Sequence, residues 1–447
     1  MTREAFGSSI WRLVVTGTVE GAATVITGIG VAAPNGLTVD DHWSATLGGR
    51  SGVRPLAGFD GNRYSARLAG LIEDFDEQRH IPGRLLPQTD RVTRLALYAA
   101  DAALRDAEVA PAALRDYDMG VTLSNGCGGF DFTHREFRKL WQRGPEHVSV
   151  YESFAWFYAC NTGQISIRHG MRGPSAALVG EQAGGLDAVG YARRSIRRGT
   201  RMVVTGGLDS AFDPWGWVSH LSTAQVSQER DAGRAYLPFD SAACGYLPGE
   251  GGAVLVAEDA SSARARGAPP SYGQIAGYAA TFDPRPGSGR PPGLGRAAEL
   301  ALADARLRPA DIDAVFADGA GAVALDRTEA QAITALFGPR AVPVSVPKAL
   351  VGRLCAGGGP LDLVAALLTI RDGLIPPTAG TTHVPPGYGI DVVLQQPRRQ
   401  QVRNALVLAR GRGGFNAAIV VSAAPGGHRA RPRRSWQGEN DEHRQPR

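Results

Sequence analysis

Lysine is almost missing from this 447-residue chain, with Lys139 and Lys348 the only two among 48 basic residues. The cationic side is therefore arginine, interleaved with 43 acidic residues for a net charge of only +5. A clustered basic face of the kind that grips phosphates is absent from the pattern, which argues against nucleic acid as a partner. Cysteine is scarce too: Cys127, Cys160, Cys244 and Cys355 are the only four. They lie too far apart for a CxxC metal or redox motif, so each reads as a small buried hydrophobe and no metal is expected. No stretch approaches the roughly 18 uninterrupted apolar residues of a membrane span. The N-terminus lacks a clean apolar core and a small-residue cleavage site, which points to the cytoplasm.

What is present is a soluble composition, 43% hydrophobic with 58 glycines, in a chain long enough to bury a large core. The β-branched run 24–31 ends at Pro34-Asn35-Gly36 and reads as a buried strand followed by a turn. Strand patterns follow at 119–124, 175–179, 201–205 and 252–258, with helical ones at 91–107 and 184–198. After a Pro/Gly/Arg-rich stretch at 264–270 the order restarts. Strands are expected at 272–278 and 314–317, helices at 295–305, 328–337 and 355–371, and a closing strand pair near 392–394 and 405–421. Strands alternating with helices predict an α/β protein with parallel sheets covered on both faces. Two successive units of similar order predict an internal duplication, with halves at 24–262 and 271–424. Residues 1–23 form an N-terminal extension, and the polar tail 425–447 is expected to be disordered.

The most informative segment is Val179-Gly-Glu-Gln-Ala-Gly-Gly-Leu-Asp187, a strand running straight into a helix through small residues. Such a turn lifts one side chain and aims free helix N–H groups at it. An acyl-transfer enzyme would place cysteine or serine there. This chain has Gln182, whose amide is no nucleophile. On this motif alone, a glutamine near a helix N-cap is the simpler reading.

From about residue 24 to 424 the sequence resembles the β-ketoacyl synthases of the thiolase fold. Within them it resembles the chain-length-factor subunit of type II aromatic polyketide synthases. The Gln182 elbow carries the resemblance, as do Thr133-His-Arg-Glu-Phe-Arg-Lys-Leu-Trp141, Tyr151-Glu-Ser-Phe-Ala-Trp-Phe-Tyr158, Asn161 to Gly173, Asp213-Pro-Trp-Gly-Trp217 and Pro248-Gly-Glu-Gly-Gly252. The resemblance implies two duplicated βαβαβαββ-type halves in a layered αβαβα arrangement. It also implies that the catalytic positions are degenerate. Active members carry cysteine at Gln182 and histidine at two further places, where this chain has Asp318 (Val315-Phe-Ala-Asp318-Gly) and Arg353 (Lys348-Ala-Leu-Val-Gly-Arg353). An aspartate would repel a developing enolate, and an arginine cannot exchange protons near neutrality. Lys348 and Glu329, with Asp326 nearby, match a structural ion pair in a buried network, and Arg412 stands where active members carry a gating phenylalanine.

Nine of the chain's 32 aromatic side chains fall between Phe130 and Tyr158. Phe130, Thr133 and Phe137 share one face if that segment is helical, a stripe that by periodicity alone reads as core packing. By resemblance, these residues and Trp215 line a substrate tunnel for a polyketide intermediate at an interface with an active ketosynthase. Bulky side chains there imply a short tunnel, matched to about eight two-carbon units.

The implied role is that of a catalytically inactive, cytoplasmic subunit in a heterodimer with an active ketosynthase. The complex would condense malonyl units on an acyl carrier protein, whose phosphopantetheine arm reaches the partner subunit; no cofactor is implied for this chain. The rival role is a malonyl-carrier-protein decarboxylase that supplies the starter unit through Gln182.

Overall fold

Thr24–Ala32 is a nine-residue strand buried along its whole length, and its sequence shows why. Isoleucine and valine alternate with glycine, so one face packs side chains while the other admits a helix at backbone contact. A Cβ on Gly30 would lie 1.9 Å from the carbonyl oxygen of Ala99, on the helix Arg91–Asp106. The second half repeats the device. A Cβ on Gly277, in the strand Gly273–Phe282, would lie 2.1 Å from the carbonyl oxygen of Ala301, on the helix Gly293–Ala305. The computed structural model describes residues 23–424 other than Pro286. The expected disordered tail, and all but the last residue of the N-terminal extension, lie outside the described residues.

Eleven strands form the main sheet. In the first half the order from the edge inward is Ser175–Leu178, Met119–Ser124, Met202–Asp209, Gly251–Asp259, Thr24–Ala32. In the second, from the centre outward, it is Gly273–Phe282, Phe415–Ser422, Asn404–Arg410, Ala314–Phe316, Pro343–Ser345, with Asp391–Val392 added at the far edge. Apart from inserted short elements, such as the helix Pro214–Leu221 and the strand Asp391–Val392, each half runs βαβαβαββ along the chain, and the two pair through the first strand of each, at Val25–Gln274 and Ile26–Gly273. This is the duplication and the thiolase-like order that the resemblance implied.

The sheet is mixed rather than parallel. Met119–Ser124 runs parallel to both its neighbours, whereas Gly251–Asp259 is antiparallel to the strands on either side. The ββ end of each half reverses direction, which a reading of simple βα alternation misses. The closing pair is likewise Asn404–Arg410 with Phe415–Ser422, a hairpin across residues 411–414. Pro343–Ser345 went unnoticed because it is three residues long and begins with proline.

The helices Gly184–Arg197 and Gly358–Asp372 pack against each other and against strands of both halves, making the middle layer. Gly358–Asp372 is buried all round from Gly358 to Ile370, as a helix with no solvent face must be. Arg91–Asp106 and Gly293–Ala305 cover the outer faces. The N-termini of both central helices point into one place, and the candidate site lies there.

Candidate functional site

The strand Ser175–Leu178 passes through Gly180 into the turn Glu181–Ala183 and then the helix Gly184–Arg197. Glu181 sits at φ +50°, a left-handed conformation uncommon for a residue with a side chain. The turn delivers Gln182 to the expected elbow, fully buried, and its amide nitrogen and oxygen make no hydrogen bond to the described residues. The amide lies against the backbone of Gly358, where a Cβ would come within 2.4 Å of Gln182 Nε2. Glycine at 358 is therefore what lets glutamine occupy 182.

Asp318 follows the strand Ala314–Phe316, and Arg353 precedes the helix Gly358–Asp372. The structure brings them into direct contact. Arg353 Nη1 donates to Asp318 Oδ2 at 2.8 Å and Nη2 to Oδ1 at 3.1 Å, while Nη2 also donates to the carbonyl of Arg410 at 2.9 Å. The Arg410 N–H returns a bond to Asp318 Oδ1 at 3.1 Å. Burial pushes the Asp318 carboxyl up, but Arg353, Arg410 and Lys348 outweigh it and hold it below its usual value. The pair is satisfied internally and leaves neither a base nor an acid free to move a proton.

Lys348 and Glu329 are both buried in this region, but they are not each other's partner. Lys348 Nζ pairs with Asp362 and donates to the carbonyls of Ala317 and Asp318 at 2.8 and 3.1 Å. Glu329 accepts the N–H groups of Asp318 and Gly319 at 2.8 and 2.9 Å and lies 3.8 Å from Arg410 Nη2. The lysine reads one side of the Ala317–Gly319 backbone and the glutamate the other. Asp362 has no sequence signal of its own, since it is an isolated carboxylate in the largely apolar run 360–370. Asp326 accepts from Phe239 and Gly321, and burial raises its carboxyl to about 7.

A cavity of about 420 Å³ opens onto this cluster, lined by Asp318, Arg353, Arg410, Arg412, Tyr246 and Glu181 among others. Arg412 N–H donates to Glu181 Oε2 at 2.9 Å and its guanidinium lies 3.6 Å from Oε1. The loop that carries Arg412 is thereby tied to the Gln182 elbow. A larger hollow, about 980 Å³ beside Phe282 and Leu294, shares only Asp283 with this lining.

The aromatic stripe is helical, Phe130–Arg143. Phe130 and Phe137 converge on Trp215, with ring centroids 4.8 and 6.2 Å apart, while Thr133 is buried between them in sequence. Trp215 is fixed at the start of the helix Pro214–Leu221, whose cap Asp213 accepts from the N–H groups of Trp215 and Gly216 and pairs with His134 of the stripe helix. Trp215 remains 46% exposed, so the cluster opens to the surface and is not closed core.

The cysteines depart from the sequence expectation. Cys244 is exposed and Cys127 partly so. Cys127 and Cys355, 228 positions apart in sequence, lie together with Asp209, their ligand atoms within 4.8 Å of one another. Spacing along the chain carried no sign of this, because the contact is made by the fold.

Two family models match the chain: the β-ketoacyl synthase N-terminal domain over residues 22–263 and its C-terminal domain over 272–382. Among known proteins, it is 64% identical over 399 residues to the actinorhodin polyketide putative beta-ketoacyl synthase 2 of Streptomyces coelicolor, covering 89% of this chain and 98% of that one. It is 55% identical over 401 residues to the tetracenomycin polyketide synthase ketoacyl synthase beta subunit of Streptomyces glaucescens, covering 90% and 98%. Among solved structures it is similar to the ishigamide ketosynthase/chain length factor, with a TM-score of 0.82 at 27% identity over 90% of this chain and 99% of that one. A type II acyl carrier protein–ketosynthase complex, AntDE:AntF, shares the fold at a TM-score of 0.81 and 23% identity over 90% and 100%.

Proposed function

The chain belongs to the β-ketoacyl synthase family, among the second ketosynthase-type subunits, or chain-length factors, of type II polyketide synthases, and from that premise we propose that it condenses nothing itself and shapes the chain that a partner makes. The carrying observation is the closed Asp318–Arg353 pair facing an unreactive Gln182. Claisen condensation needs a nucleophile to hold the acyl chain and neutral donors to stabilise the enolate left when malonyl loses CO₂. This site has an amide, a neutralised carboxylate and a permanently charged guanidinium.

The surface supports a partner. Ser175–Leu178 is an edge strand with one side unpaired among the described residues. Beside it run the helix Cys160–His169, with Ile167 77% exposed, and the exposed aromatics Trp156, Phe157 and Tyr158. An edge strand flanked by bare aromatics is a liability in a monomer and an obligate interface in a dimer. The partner is a cysteine-bearing ketosynthase, joined over an apolar interface of roughly 2,000 Å² or more. The acyl carrier protein delivers malonyl units to that partner, and its pantetheine arm needs no site here.

The growing poly-β-ketone meets this chain at the Phe130–Phe137–Trp215 cluster, where rigid rings stop an extended chain and exclude water. By the resemblance, bulky rings at this place mean a short tunnel and a product of about eight two-carbon units. Co-expression with a ketosynthase subunit tests the proposal: the two chains are expected to co-purify as a heterodimer and make polyketide together. A stable homodimer of this chain, indifferent to the partner, would contradict it.

A further inference from the structure

Cys127 follows the strand Met119–Ser124 in the first half of the fold, and Cys355 opens the turn before the helix Gly358–Asp372 in the second. One residue sets both loops. Asp209 Oδ1 accepts the N–H groups of Gly126 and Cys127 at 3.1 and 2.9 Å, and Oδ2 accepts those of Gly126 and Ala356 at 3.0 and 2.8 Å. This clamp holds the two sulfurs and the carboxylate within 4.8 Å of one another. It also holds Cys355 at φ +48°, a conformation that costs a side-chain-bearing residue strain and persists only where the surroundings impose it.

We propose that Cys127 and Cys355 form an oxidisable dithiol, which a low-molecular-weight disulfide converts to an intramolecular disulfide joining the two halves beside the degenerate site. A metal centre is the rival for two thiols and a carboxylate. It is disfavoured because three backbone N–H groups already bond the Asp209 carboxylate, that of Gly126 shared between its two oxygens, which leaves at most one of about four lone-pair sites for an ion. Two sulfurs alone make a cross-link more readily than a closed metal site, which takes four ligands.

The order of events follows from exposure. Cys127 is partly exposed and Cys355 is buried, so the reagent RSSR meets Cys127 first. The Cys127 sulfur, having lost its proton, attacks one sulfur of RSSR; the S–S bond breaks and RS⁻ leaves to be protonated. The Cys355 sulfur, losing its own proton, then attacks Cys127 Sγ in the mixed disulfide and expels the second RSH. Two protein thiols are oxidised and one RSSR is reduced to two RSH. Contact with Cys355, then burial and the Asp209 charge, hold the Cys127 thiol well above its usual value. The reaction is therefore slow, because the Cys127 thiolate that must attack is scarce. Cys127 lies three residues before Phe130, so the bond ties down the start of the aromatic helix.

The test treats the full chain, with its bound partner, with excess oxidised glutathione under native conditions, then alkylates it and maps its peptides. The expected result is a Cys127–Cys355 linked peptide pair, the loss of two hydrogens in mass, reversal by dithiothreitol, and no linked pair in Cys355→Ser. Mapping the unsubstituted chain needs no variant, so the outcome does not depend on how Cys355→Ser folds. A stable glutathione adduct on Cys127 with Cys355 still alkylated would overturn the proposal, as would both residues remaining free while exposed Cys244 reacts. Stoichiometric zinc that co-purifies and is lost in Cys127→Ser would replace the dithiol with a metal centre.

Discussion

Arg353 grips Asp318 through both terminal guanidinium nitrogens, Nη1 and Nη2, at 2.8 and 3.1 Å, at the two positions where the resemblance places histidines in active members. The two degenerate residues are thus one substitution in physical terms: each ion is tolerable in the interior because the other is there.

Removing one partner should therefore be far worse than removing both. Arg353→Met strands a buried carboxylate and is expected to cost about 3–5 kcal/mol, whereas Asp318→Asn combined with Arg353→Met should recover most of that loss. Urea denaturation of the purified heterodimer measures both. Additive losses would show that the pair is not a unit.

The amide of Gln182 and the missing side chain of Gly358 make a second coupled pair. Gly358→Ala places a methyl group where the Gln182 amide sits, an overpacking expected to cost about 1–3 kcal/mol. Adding Gln182→Ala opens the space and should relieve it, a rescue that thermal melts of the single and double variants would show.

The rival decarboxylase role depends on the same amide. Because Gln182 is fully buried and the adjoining charges are paired, Gln182→Ala is expected to leave CO₂ release from malonyl-carrier protein unchanged. A substantial Gln182-dependent fall in radiolabelled CO₂ would favour decarboxylation.

Stability should depend on pH through Asp326. Burial raises its folded carboxyl from the usual 3.8 to about 7, so between these values the folded state holds a proton that the unfolded state has lost. Its contribution is complete below the unfolded value and declines as pH rises toward about 7. Asp326→Asn, which cannot ionise, is expected to flatten the fall in stability over that window. An unchanged slope in denaturation from pH 5 to pH 7 would contradict the assignment.

Chain length should respond to the aromatic cluster. Phe130→Ala removes the ring tilted against Trp215 at a centroid distance of 4.8 Å, opens space beside it and is expected to shift products of the reconstituted pair toward longer polyketides. Mass spectrometry of the products decides it, and an unaltered length distribution would remove this cluster from the ruler role.

Much of this architecture was legible in the residues. The duplication showed because each half repeats the same alternation, and Gln182, Asp318 and Arg353 stood out because the resemblance places a cysteine and two histidines at their positions. Met119–Ser124 and the start of the helix at Gly184 fall where the pattern placed them. Sheet direction was not legible, since a ββ reversal looks like any other loop. The partners of buried charges were hidden for a different reason: Lys348 meets Asp362 and Glu329 meets Arg410, and such choices are made by packing between distant segments. The Cys127–Cys355 contact was invisible on the same ground.

The central claim is that this chain forms no carbon–carbon bond. The most direct measurement incubates the purified chain alone with acyl- and malonyl-loaded carrier protein, follows ketide formation by mass spectrometry, and then adds the ketosynthase subunit. No elongation before the addition and polyketide after it is the expected result; elongation by the chain alone would contradict the account.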